Sequence, residues 1–197
     1  MGFVIIVDGP NFINELERNG KDKTYIMKTF SFHILQGVIQ NRLNQHGLRG
    51  HPFLHTYFVC SDKKQMGDFK DEERQALLDK LKCETGVTVD KILQSHKEGK
   101  EHEVDMHVFI RMLEMGPLAR PYHDEWRHIV LISKDSDFVP AIRLLSQMGT
   151  HTIVVGFDSK ENPFPMELKN ESYLFLELRD VLGEMEKIEE QDSRFKK

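Results

Sequence analysis

Short apolar runs of strand type alternate with segments of helical period along most of this chain, and that alternation admits few architectures. Residues 3–7, 53–60, 87–93, 128–133 and 151–156 read as strands, and 173–176 as a short last one. Between them, residues 24–45 carry Ile26, Phe30, Ile34, Leu35, Val38, Ile39 and Leu43 at helical spacing, stopped by Gly47 and Gly50. Residues 71–82, with an acidic first turn, 104–115, 137–148 and 179 onward read as further helices, and Gly149 ends the third of these. The order predicts an α/β protein: a three-layer α/β/α sandwich, with helices on both faces of a mainly parallel sheet of about five to six strands.

A length of 197 residues suits one domain. We expect it to span residues 1–183, with 184–197 a charged tail that frays into solvent. The formal net charge of −5 excludes a strongly basic coat for nucleic acid, although local Lys and Arg can still meet phosphate. The two cysteines, Cys60 and Cys83, have no zinc spacing and read as free thiols in a reducing compartment. The first apolar run meets Asp8 too soon for a signal peptide or a membrane span. Ile6 stands where a myristoylation signal needs Ser or Thr. A soluble, cytoplasmic protein is expected.

Two of the strands end in acids. The first run leads into Asp8-Gly9-Pro10-Asn11, and the fourth into Ser133-Lys134-Asp135-Ser136-Asp137-Phe138. Taken singly, Asp8 is a turn residue and Asp137 a helix cap. In a parallel sheet, however, such strand ends lie along one edge, and Asp105 at the start of the following helix projects from the same edge. Carboxylates about 4 Å apart repel by roughly 4 kcal/mol at an effective dielectric near 20, so a cluster of them calls for a cation. Carboxylates without thiolate or paired His select Mg²⁺ or Mn²⁺, and such a site suits phosphodiester hydrolysis. Asn11 and Ser133 stand beside it, able either to hold water or a phosphate oxygen or to cap the backbone.

These residues resemble a known family. Val7-Asp8-Gly9-Pro10-Asn11-Phe12, Glu103-Val104-Asp105 and Ser133-Lys134-Asp135-Ser136-Asp137-Phe138-Val139-Pro140-Ala141-Ile142, with Gly149 before a β-run, resemble the NYN-domain branch of the PIN-like nucleases over roughly the first 180 residues. The resemblance implies an acidic divalent-metal pocket linked to RNA cleavage. It makes Asp8, Asp105, Asp135 and Asp137 the metal-binding and catalytic carboxylates, using Mg²⁺ or Mn²⁺. Asn11, Ser133, Lys134, Lys97, Lys100 and Arg111 would then face a single-stranded RNA, with Lys63 and Lys64 nearby. Where such nucleases often carry a further acid, about a turn and a half after Asp105, this chain has Arg111, which bears on two-metal occupancy and on activity.

A second reading is a nuclease-like module that binds RNA or a protein and cuts poorly; Arg111 and the acidic net charge favour it. Trp126 and Phe164, on proline-bounded loops, mark a contact surface for a second copy or a protein partner. A haloacid-dehalogenase-type phosphatase needs a second Asp where Pro10 stands. No glycine fingerprint for dinucleotides, no phosphate loop and no calcium loop is present.

Overall fold

Buried strands with continuous apolar faces need helices on both sides, and the computed structural model shows how this chain supplies them. It describes residues 2–61, 66–92, 103–117 and 127–195. Strand β1 (Gly2–Asp8) is followed by α1 (Gly9–Arg18) and α2 (Phe32–Gln45), then β2 (Phe53–Ser61), α3 (Asp71–Lys82) and β3 (Val87–Ile92). Helix α4 (Glu103–Met115) leads to β4 (Arg127–Ile132), α5 (Val139–Gln147), β5 (Thr152–Gly156), α6 (Met166–Glu171), β6 (Leu174–Glu177) and α7 (Leu178–Phe195). The six strands are all parallel, in the order β3-β2-β1-β4-β5-β6.

The alternation of β1 divides the core. Phe3, Ile5 and Val7 pack with α1, α2, α3 and α7, while Val4 and Ile6 pack with α4, α5 and α6. From β1 the chain winds outward through β2 to β3, then returns over the other face to β4 and winds the opposite way. Since parallel crossovers keep one hand, this reversal places successive helices on opposite faces. The three-layer α/β/α fold is as expected.

Several local readings are corrected. Asp8-Gly9-Pro10-Asn11 opens a helix instead of forming a separate turn: Asp8 is the N-cap, and Pro10 sits in the first turn, where its missing N–H costs nothing. Gly9 is needed there, because a Cβ would stand 2.6 Å from the Phe58 ring and 2.8 Å from the Val59 carbonyl. The single helix expected over residues 24–45 is interrupted. A π-turn at Tyr25–Thr29 gives way to extended Phe30 and Ser31. Outside help holds the break: Lys80 Nζ donates to the carbonyls of Ile26 and Phe30 at 3.1 and 2.6 Å, and a Glu84 carboxylate oxygen accepts from Phe32 N at 2.7 Å.

A 3-10 turn at Ser136–Phe138 precedes α5, so the helix expected from 137 begins at Val139. The loop around Pro163 and Pro165 contains α6, and Phe164 is 4% exposed, its ring 4.6 Å from that of Phe175. Phe164 is therefore core and no contact surface; Trp126 lies outside the described residues. The charged run after Glu184 does not fray at once. It continues α7, which buries Val181, Leu182 and Met185, pairs Glu184 with Arg42 at 2.6 Å, and pairs Glu186 with Lys21. Among the described residues no helix is long and apolar enough to cross a membrane.

Candidate active site at the switch point of the sheet

Strands β1 and β4 are neighbours, but the chain leaves them in opposite directions, which opens a crevice beyond their carboxyl ends. Val7 pairs with Ile132, so Asp8 and Ser133 emerge side by side. Helix α4 packs across β1 and carries Asp105 in its first turn to the same place. The result is one group: a carboxylate oxygen from each of Asp8, Asp105 and Asp135, all within 4.8 Å of one another.

Asp8 is the anchor, at 1% exposure. Its Oδ1 accepts from Asn11 N at 3.4 Å and its Oδ2 from the Ser133 hydroxyl at 3.1 Å. The positive end of α1 favours its charge. Ser133 Oγ also accepts from Asp135 N at 3.1 Å, so one hydroxyl sets the spacing of two acids. Asp135 Oδ1 caps the 3-10 turn by accepting from Asp137 N at 2.9 Å. Asn11 Oδ1 accepts from Lys134 N at 3.0 Å, tying the β4 loop to α1.

The other residues expected at the site fall elsewhere or take different work. Asp137 is exposed and outside the three-acid group. Ser133 is buried, and both it and the Asn11 oxygen brace the acids instead of facing a substrate. Lys134 is not a surface cation: its side chain is 9% exposed, Nζ donates to the Asn162 carbonyl at 2.6 Å and lies 3.8 Å from Glu15 Oε2. Burial pushes its ammonium pKa down, opposed by Glu15. Arg111 meets protein acids, with Asp90 at 2.8 Å, Glu114 at 2.8 Å and the Tyr57 ring 4.7 Å beneath its guanidinium. Lys97, Lys100, Lys63 and Lys64 lie outside the described residues.

The sequence reading missed Glu15, a buried acid holding Lys134 in place; its position four residues after Asn11 on α1 puts both on one helical face. It also missed the wall beside the acids. A cleft of about 400 Å³ runs between α4 and α5, lined by Asp105, Met106, Phe109, Asp137, Phe138, Pro140, Ala141 and Leu144. Met106 and Ile110 lie off the inward stripe of Val104, Val108 and Met112, a signal that α4 has a second apolar face.

The sequence matches the family model of the NYN domain over residues 6–179. The chain belongs to the NYN family, a branch of the PIN-like nuclease superfamily. No curated protein matches it. The geometry of this NYN domain fits a hard divalent cation. Among the described residues the cluster offers carboxylate oxygens and no imidazole or thiolate, the donor set that suits Mg²⁺ or Mn²⁺ over zinc. Ligands around an octahedral ion at about 2.1 Å stand roughly 3–4 Å apart. The three side chains are thus near that spacing already.

Proposed function

We propose that this NYN domain is a divalent-metal-dependent ribonuclease that hydrolyses phosphodiester bonds of single-stranded RNA. The observation that carries the reading is the convergence of Asp8, Asp105 and Asp135 at the sheet's switch point. These three would hold Mg²⁺ or Mn²⁺, with Asp137 next to them along the chain. Such an ion supplies charge neutralisation at a scissile phosphate and makes water a better nucleophile at neutral pH.

The chain's own groups do the rest. Asp8 is fixed through both oxygens, so its orientation is set before any substrate arrives. Asp135 is half-buried and faces the same crevice, placed to accept the proton of the attacking water. Water oxygen bonds to phosphorus, the bond from phosphorus to a sugar oxygen breaks, that oxygen takes a proton from solvent water to leave as a hydroxyl, and no covalent enzyme intermediate is needed. Glu15 and Lys134 keep the β4 loop against α1 while this happens. Cys60 and Cys83 are free thiols, in keeping with a cytoplasmic protein.

The test is cleavage of a labelled single-stranded RNA with Mn²⁺, with Mg²⁺ and with EDTA, alongside Asp135→Asn. Metal-dependent cutting that disappears in the variant is expected. Absence of cutting, with RNA still bound in EDTA, would overturn the reading in favour of a binding module.

A further inference from the structure

The surroundings of the acids are unequal on their two sides. Toward α1 and β5, the space bounded by Asn11, Phe12, Ser133, Lys134, Val155 and Phe157 amounts to about 10 Å³, room for no more than a water. Toward α4 and α5 lies the 400 Å³ cleft, in the size range of small-molecule sites. Asp105 belongs to both the acid group and the cleft, so whatever fills the cleft adjoins the reacting phosphate. Among the described residues its lining carries two carboxylates, Asp105 and Asp137, and no cation, a setting that disfavours a second phosphate. It has instead a half-buried aromatic ring, Phe109, an exposed thioether, Met106 (56% exposed), and the Asp137 carboxylate.

With Asp105 engaged in the acid group, the apolar walls and the Asp137 carboxylate at the rim match an unpaired nucleobase, whose faces stack on aromatic and thioether groups and whose edge carries donors. The acceptor is a carboxylate, which selects the edge. Guanine alone among the four bases presents two adjacent donors, N1–H and N2–H, to a carboxylate. Uracil flanks its single N–H with carbonyls, and adenine and cytosine place an acceptor beside their amine. We propose that the α4–α5 cleft is a nucleobase subsite that stacks a guanine on Phe109 and reads its Watson–Crick edge with Asp137, placing that nucleotide next to the bond to be cut. This rests on the ribonuclease reading above and gives Asp137 a role distinct from the three clustered acids.

The experiment uses the full chain in Ca²⁺, with fluorescently labelled RNA hexamers of adenosine containing one guanosine, hexamers of adenosine or uridine alone, and gel analysis for intactness. The guanosine-containing hexamer should bind at least fivefold more tightly than the others. Phe109→Ala should weaken it about tenfold, the range expected for loss of one stacked base. Asp137→Asn should erase the preference for guanosine, so that guanosine-containing and adenosine hexamers bind alike. A second readout does not depend on the folding of Phe109→Ala: the methyl-¹³C resonance of Met106, assigned through Met106→Leu, should move upfield as RNA is added. RNA bound or cut without regard to base, with the Met106 methyl unmoved, overturns the subsite and leaves the ribonuclease standing. Failure of the wild-type chain to bind or cut any RNA overturns both. A Met106 shift that follows protein concentration without RNA, and vanishes in Leu144→Asp, assigns the cleft to a second copy and also overturns it.

Discussion

Replacing Asp135 by Asn should stabilise the metal-free protein while destroying its response to metal. In the wild type, oxygens of Asp135, Asp8 and Asp105 lie within 4.8 Å of one another. Coulomb's law gives about 3.5 kcal/mol for each such pair at an effective dielectric of 20. Asp135 is only half-buried, and water reduces each pair to about 1 kcal/mol. Asn removes two of these repulsions and still presents Oδ1 to Asp137 N, since Asn caps about as well as Asp. Loss of negative charge at the start of the 3-10 turn returns a few tenths of a kcal/mol. The net gain in EDTA is about 1–2 kcal/mol, or roughly 2–8 °C in Tm for a chain of this size. With Mn²⁺ at about a hundred times its Kd, the wild type gains roughly 2.7 kcal/mol that the variant largely forgoes. The two melting curves, followed by circular dichroism, should therefore exchange order between EDTA and Mn²⁺. An Asn variant less stable than wild type in EDTA, or a wild-type Tm indifferent to Mn²⁺, would refute the argument that these acids form one repulsive, cation-seeking group.

Other expectations concern the far end of the sheet as well as the parts that support the site. His128 is held neutral by burial and by the neighbouring His51 and His151, its pKa pushed down to about 4. A folded pKa below the unfolded 6.5 means this contribution is complete above 6.5 and is lost as pH falls toward 4. Urea unfolding should show about 1–2 kcal/mol less stability at pH 5 than at pH 7.5, and His128→Phe should flatten that slope. Glu15→Gln removes the carboxylate nearest the buried Lys134 ammonium, leaving it the weaker fields of Asp158 and Glu177, and also releases Arg18; it should cost about 2–3 kcal/mol in chemical denaturation. Adding Lys134→Met should recover most of that loss, and a strictly additive double variant would deny the coupling. Gly9→Ala forces a Cβ against the Val59 carbonyl and should cost about 1–3 kcal/mol and weaken the Mn²⁺ shift together, both read from one thermal titration.

Much of this architecture is legible in the residues because strand and helix periods differ. Apolar runs such as Ile129–Val130–Leu131–Ile132 bury on both faces, and only a parallel sheet with two helical layers accommodates several of them. The acids after β1 and β4 converge for the same topological reason, so Asp8, Asp105 and Asp135 were visible as candidates. What periodicity could not show was the break at Phe30–Ser31, because Lys80 and Glu84, which satisfy the freed backbone groups, are distant in sequence. Side-chain partners were hidden likewise. Lys134 and Arg111 look like free cations until the fold brings up Glu15, Asp90 and Glu114. Helix α6 is one short element behind Pro165, and the single buried apolar residue of Glu167-Leu168-Lys169-Asn170, Leu168, sets no period that separates helix from loop.

The hydroxyl bridge from Ser133 to Asp8 spans 125 residues of chain. During synthesis, Asp8 and Asp105 must wait for β4 to emerge and settle beside β1 before Asp135, the third acid of the group, can join them. A ribosome-bound chain short of that point has no assembled site, so the three-acid group exists only after the central pair of the sheet has closed. On the proposed metal reading, the same delay makes cation uptake a timer of folding: an ion captured early has too few ligands, and one captured late reports that residues from both halves have met.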